Sequence, residues 1–292
     1  MAKIVFVATA LFLLYTVGML AQALTILAVL LKTDWRTKPG LTLILSLAVS
    51  DLLGCGRGSL GTIEHFLRSR LFVNSHLVLG FVGNLAWSCS SLHMIALSYN
   101  RYVYLCVQGE EERWAGKSVT RVVLYVLWLF CMVYCLLRYF LVCCPVVWDY
   151  SIVGTRYLVP PNHTNHWGAL DFYGIVLPTN ILPALAYSAV FVQLVWFSGH
   201  SSLNEKRLCL QFFIIGFVYC ISCLSWRVLP PNWLFLASLA LAVNYVVNPF
   251  VYMIFNKTIR GGMCKLLKGE PANTSVVRPF RSRQRTSTKV KY

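Results

Sequence analysis

Charge is scarce in this chain. Charged residues make up 12% of its 292 positions, about half of the roughly 25% usual in soluble domains. Only ten are acidic. That shortage excludes an ordinary soluble domain. Catalytic spacings are missing as well: no His-x-x-x-His, Gly-x-Ser-x-Gly or paired acids occupy the apolar stretches, which argues against an intramembrane enzyme. The eleven cysteines lack the pattern of a disulfide framework. Cys55, Cys89, Cys131, Cys135, Cys220 and Cys223 lie within apolar runs, where cysteine behaves as a small hydrophobe. Only Cys143 and Cys144 fall near an expected outer surface. The hydrophobic opening from Ile4 to Leu31 is too long for a removable signal peptide and lacks a cleavage site, so it reads as a span. No internal repeat of the kind that marks many transporters is present.

What is abundant is hydrophobicity, at 58% of residues with a mean hydropathy of +0.64. Seven apolar segments stand out, at about 4–31, 41–63, 76–106, 119–144, 169–197, 208–229 and 233–255. Each is long enough to cross ~30 Å of hydrocarbon as a helix, and lipid offers a spanning backbone no other partners. The expectation is an all-α membrane protein, a seven-transmembrane helix bundle over residues 1–268. Arg227 and the pair Pro230-Pro231 crowd the end of the sixth segment.

With the N-terminus outside, 19 of the 26 Lys and Arg lie on the inner side. The positive-inside rule therefore favours an outer N-terminus and a cytoplasmic C-terminus. Asn162-His163-Thr164 then falls in the longest outer loop as a glycosylation sequon. After the last span, Ile259, Met263, Leu266 and Leu267 alternate with Arg260, Lys265 and Lys268. This predicts a short amphipathic helix over about 257–268, suited to the membrane surface. Cys264 on that helix is a candidate for acylation, with a free thiol as the alternative. Residues 269–292 read as a basic, disordered cytoplasmic tail. Anionic lipid attracts such a run by ~1 kcal/mol per basic residue, which accounts for the net charge of +16 without nucleic acid. Phosphorylation of Ser282, Thr286, Ser287 or Thr288 would weaken that attraction.

Within the spans, polar residues are few and clustered. Asp51 stands in the middle of span two, where a carboxylate must be neutralised, hydrated or bound to a cation. Ser90 lies at mid-depth on span three, and Asn244 and Asn248 sit one turn apart on span seven. These could surround one small cation, or form a hydrogen-bond network that packs helices. Pro249 removes a backbone hydrogen bond beside them and should bend the helix, as a two-state element requires. Arg101 ends span three; alone, it would read as an anchor.

Leu47-Ala48-Val49-Ser50-Asp51, Asn100-Arg101-Tyr102, Trp128 and Asn248-Pro249-Phe250-Val251-Tyr252, in that order along seven spans, resemble the rhodopsin-like (class A) G-protein-coupled receptors. The resemblance implies a sodium pocket of Asp51, Ser90, Asn244 and Asn248. It implies that Arg101, with Tyr102, contacts a heterotrimeric G protein, and that Pro249 and Tyr252 serve the switch. A phosphorylated tail would engage arrestin, and the receptor would sit in the plasma membrane among its lipids. Several residues depart from the pattern. Asn100 replaces the acid that restrains the arginine, which predicts high basal activity. Gln22 stands for the span-one asparagine. Span six keeps Phe217 and Cys220 but has Ile221 and Cys223 for the usual tryptophan and proline. His76 lies near the place of the usual span-three cysteine, so the usual outer disulfide is not expected.

The ligand is not named by these residues. Gly83 and Ala242 occupy the positions of the amine-binding acid and the retinal-binding lysine, so neither chemistry is implied. The outer halves carry Arg57, Asn84, Trp87, Arg138 and Arg227, with His65, Glu64 and Trp226 nearby. Arg57 requires an anion or carbonyls: a small acidic molecule or lipid is one reading, pairing with Glu64 the other. Two other functions fit the composition: a transporter or channel lined by Asp51 and Arg57, and a receptor that holds ligand or a partner without signalling.

Overall fold

The computed structural model describes residues 2–71, 74–106, 110–140, 146–149, 153–157, 203–230 and 233–271, with isolated positions between 181 and 192. Span five, Asn162 and the tail beyond 271 lie outside the described residues.

Helix α1 (Ala2–Lys32) carries no charge between Ile4 and Leu31 and ends on its one basic last-turn residue, Lys32. A 3-10 turn, Trp35–Thr37, leads into α2 (Pro39–Leu67), whose proline sits in the first turn, where its missing N–H costs nothing. Arg68, in the left-handed region at φ 49°, ends α2. Next come α3 (Ser75–Cys106), a one-turn helix Glu111–Ala115 and α4 (Lys117–Phe140). An antiparallel hairpin follows, β1 (Val146–Asp149) and β2 (Gly154–Tyr157), with Trp148 opposite Thr155. Helix α5 (Leu203–Val228) occupies the sixth expected span and α6 (Leu234–Phe255) the seventh. Last is α7 (Lys257–Leu267), where the Asn256 side chain accepts from the backbone N–H groups of Thr258 and Ile259. Asn256 is thus the N-cap of α7.

Among the described residues, five helices are long and apolar enough to cross a membrane: 4–32, 39–67, 75–104, 111–140 and 234–255. The sixth expected span coincides with α5, in which Phe213–Trp226 is an apolar stretch among the described residues.

Helix α7 is more deeply placed than a surface helix would be. Ile259 and Met263 join Ala28, Val29, Leu43, Ile44 and Tyr252 in the core at the Arg101 end of the bundle, while Leu267 stays exposed. A second core lies toward the other end, where Val7, Leu11, Tyr15, Leu79, Tyr245 and Trp148 meet. A third, Leu85, Cys89, Leu127, Cys131 and Cys135, joins α3 to α4. The thiols there pack as hydrophobes, as expected of cysteine in an apolar run.

Helix α2 is admitted to the centre by its glycines. A Cβ at Gly54 would come within 2.6 Å of the Tyr245 ring, and one at Gly58 within 2.4 Å of the Tyr15 ring. Gly56, between them, faces open space. Gly58→Ala should therefore destabilise the bundle by ~1–3 kcal/mol through overpacking, while Gly56→Ala leaves it unchanged or slightly stabilised. Thermal unfolding of the purified variants in one detergent checks this: equal melting temperatures for the two would contradict the packing.

Candidate functional site

Asp51 is fully buried on α2, and donors from three other helices converge on it. Ser90 Oγ of α3 donates to Oδ1 at 2.7 Å. Asn248 Nδ2 of α6 donates to Oδ2 at 2.5 Å, and Gln22 Nε2 of α1 reaches the same oxygen at 3.3 Å. Ser90 Oγ is 2.9 Å from Ser50 Oγ, which donates in turn to the Ala86 carbonyl. Asn244, expected in the same set, is buried but makes no hydrogen bond to Asp51.

Gln22 has its place because of Pro249. A proline in a helix has no N–H for the carbonyl four residues back, so the Tyr245 carbonyl is spare. Gln22 Nε2 donates to it at 2.8 Å. One amide thus bridges the proline-broken ladder of α6 and the carboxylate of α2.

The network leaves a consistent remainder. Gln22 Oε1, Asn244 Oδ1 and Asn248 Oδ1 are buried without a hydrogen-bond donor. Carbonyl-type oxygens beside a carboxylate that no Lys, Arg or His contacts among the described residues form the donor set a hard cation prefers.

Toward the Arg101 end, Tyr252 is fully buried with its hydroxyl unpartnered, and it lies within electrostatic range of both Asp51 and Arg101. Asn100 is buried and neither atom of its amide makes a hydrogen bond, so it places no such hold on its neighbour. Both residues lie against the start of α2: a Cβ at Gly40 would fall 2.9 Å from Arg101 Nη2 and 3.4 Å from Asn100 Oδ1. Tyr102 is exposed.

Two couplings between helices carried no motif in the sequence. His93 of α3, fully buried, places Nδ1 2.7 Å from the Cys89 carbonyl and Nε2 2.7 Å from Ser46 Oγ. A carbonyl only accepts, so Nδ1 carries the proton and Nε2 accepts from Ser46. Trp128 Nε1 of α4 donates to that Ser46 oxygen at 2.8 Å, which completes the set. Farther along α3, Trp87 stacks on Tyr219 of α5 with centroids 4.8 Å apart, and the Tyr219 hydroxyl hydrogen-bonds Ser91. Phe217, matched to the family motif in span six, instead faces outward and stacks loosely on Phe213. The bundle side of α5 is made by Ile215, Tyr219, Ser222 and Cys223. One signal for this face was available: those residues recur at helical spacing, and Phe217 lies off it.

The candidate ligand residues do not form one cluster. Arg57 Nε donates to the Leu79 carbonyl at 3.1 Å, and its Cζ lies 4.6 Å from the centre of the Trp148 ring. Pairing with Glu64 does not occur: that carboxylate accepts from the Leu71 N–H at 2.8 Å, and no ion pair joins it to Arg57. Arg138 Nη1 instead meets Asn84 Oδ1 at 3.3 Å and the Tyr134 hydroxyl at 3.1 Å. The Arg227 side chain lies outside the described residues. Cys264 is exposed on α7.

The described helices form a bundle with a satisfied carboxylate at its centre, a proline-broken last span and an arginine near the end of α3. Residues 22–146 match the family model described as 7 transmembrane receptor (rhodopsin family). The crystal structure of squid rhodopsin superposes with a TM-score of 0.72 at 15% identity, covering 92% of this chain and 86% of that one. No curated protein sequence matches. The match to the family model thus spans less than half of the chain, and the fold of rhodopsin extends over 92% of it.

Proposed function

We propose that the chain is a plasma-membrane receptor that converts an extracellular signal into activation of a heterotrimeric G protein, with its N-terminus outside and its C-terminus in the cytoplasm. The observation that carries this is the Asp51–Asn248 hydrogen bond, with Tyr252 buried one turn on from Asn248 and within electrostatic range of both Asp51 and Arg101. Its mechanism is a population shift: agonist binds the signalling arrangement more tightly and moves the equilibrium by that difference in affinity. Arg101 and Tyr102 contact the G protein, while Pro249 and Tyr252 belong to the element with two arrangements.

Asp51, with the oxygens of Gln22, Ser90, Asn244 and Asn248, would hold a sodium ion. A bound sodium neutralises the buried carboxylate and favours the arrangement in which its ligands stay together. Sodium chloride in place of potassium chloride should raise the melting temperature of the purified wild type and leave Asp51→Asn unmoved. An equal response in both proteins would remove the sodium assignment.

The ligand reading is a small acidic molecule or lipid, supported by the buried Arg57 and Arg138 in the outer half. Glycan at Asn162, an acyl chain at Cys264 and arrestin on the phosphorylated tail complete the proposal. A channel or transporter reading is less well supported, since Asp51 is closed in by its donors and Arg57 by an aromatic ring.

Because Asn100 makes no hydrogen bond, Arg101 lacks the neighbouring restraint usual in the family. Basal coupling, read as second-messenger output in transfected cells, should exceed empty vector and fall to it in Arg101→Ala at matched surface expression. Asn100→Asp, which returns a carboxylate, should lower it about fivefold, the low end of measured coupling energies. Wild-type output equal to vector, or output retained in Arg101→Ala, would contradict the proposal.

A further inference from the structure

Arg57 is 3% exposed, and its contacts are the Leu79 carbonyl and the face of Trp148. Its Nη2 is buried with no acceptor. Trp148 arrives from β1 of the hairpin, is 2% exposed, and its indole Nε1 is likewise buried with no acceptor. Two donors, one of them cationic, are therefore sealed at one contact without an acceptor for either. Each buried donor left unmet carries a desolvation cost, and the single stacking of guanidinium on indole offsets only part of the two. Trp148 is an imperfect occupant of this place.

The place itself is shaped for a ring over a guanidinium. A Cβ on Gly61 of α2 would lie 2.4 Å from the Trp148 ring, and a Cβ on Gly83 of α3 would lie 2.6 Å from Arg57 Nε. One glycine makes room for the flat ring and the other for the guanidinium. The surroundings are apolar and aromatic, with Leu79, Tyr15 and Tyr245 in the same core as Trp148. Among the described residues no carboxylate contacts Arg57, so there the slot holds one positive charge without a counter-charge.

We propose that the slot over Arg57 is a ligand site held by the chain's own Trp148, and that an aromatic monocarboxylate displaces the indole to bind there. The proposal rests on the reading of Arg57 as a ligand-binding group and adds the ligand's class and the site's regulation. The ring takes the place of the indole between Gly61 and the guanidinium. The carboxylate accepts from Nη2 in a charge-assisted hydrogen bond. The displaced indole N–H gains water. A single negative charge matches a single cation; a dianion would bury an excess charge in an apolar wall. Occupation by Trp148 lowers the apparent affinity by the fraction of time the slot is closed, so the hairpin sets the threshold concentration.

The test is direct binding to the purified full-length receptor in lipid nanodiscs, without G protein, by titration calorimetry. The probes are indole-3-acetate, its neutral amide indole-3-acetamide, and cyclohexylacetate, which carries the charge without the flat ring. Trp148→Ala should bind indole-3-acetate about tenfold more tightly than wild type, and Trp148→Leu, which keeps the hairpin's apolar packing, should give a gain in the same direction. The amide and cyclohexylacetate should bind more weakly than indole-3-acetate to each protein, and Trp148→Ala combined with Arg57→Gln should lose the acid. Equal affinity for indole-3-acetate in wild type and both Trp148 variants, equal binding of cyclohexylacetate, or no binding to any of them would overturn the proposal. No acid binding with basal coupling intact removes the slot and leaves the receptor reading standing; acid binding without coupling does the reverse.

Discussion

A carboxylate at the centre of a lipid-embedded bundle constrains everything around it. Asp51 cannot reach water, so it must be met by donors, and they come from α1, α3 and α6: Gln22, Ser90 and Asn248. Each contact fixes the depth and rotation of one helix against α2. The glycines of α2 let Tyr245 and Tyr15 approach closely enough for those donors to reach. Pro249 adds the last condition, because the carbonyl it frees on Tyr245 is what holds Gln22 in position. A network assembled from four helices, with three amide oxygens left over, has two ways to be satisfied: by a cation among its oxygens, or by rearrangement of the helices that carry them.

The two ends of the bundle handle charge differently. At one end Arg101 stands beside an asparagine that makes no hydrogen bond and a tyrosine whose hydroxyl is spare. A neutral neighbour adds no ion pair to the guanidinium, which suits a group that must change partners. At the other end Arg57 is held by a carbonyl on α3 and an indole on the hairpin, with no counter-charge among the described residues. Burying an unpaired cation is costly. The indole face of Trp148, 4.6 Å from the guanidinium carbon, offsets part of that cost. The hairpin is therefore attached to the bundle through the same arginine that a ligand would use. Trp148 seats the hairpin against Gly61 of α2 and the Arg57 guanidinium.

Much of this was legible in the residues. The bounds of α1 to α4, α6 and α7 fall within a few positions of the apolar segments, because length and hydropathy alone dictate them. Asp51, Ser90 and Asn248 were identifiable because a polar group inside a span stands out against its surroundings. Gln22 was legible for the same reason, but its link to the Tyr245 carbonyl needed the proline rule applied four residues back. Arg57 was visible and its partner was not: a tryptophan some ninety positions away, in a loop with no spacing to betray it, settled the matter over the nearer Glu64. His93 and Ser46 were hidden because one is a ring and the other a small hydroxyl in apolar runs. Only the third dimension brings them to Trp128.

The central claim is that the carboxylate at Asp51 works through its contact with Asn248, wherever along that contact the charge sits. Exchanging the two residues moves the carboxylate across a 2.5 Å hydrogen bond while preserving the pair. The measurement is basal G-protein activation at matched surface expression, in Asp51→Asn alone and in Asp51→Asn combined with Asn248→Asp. Loss of activity in the single variant and its recovery in the double variant is the predicted result. A double variant no more active than the single one would contradict the account.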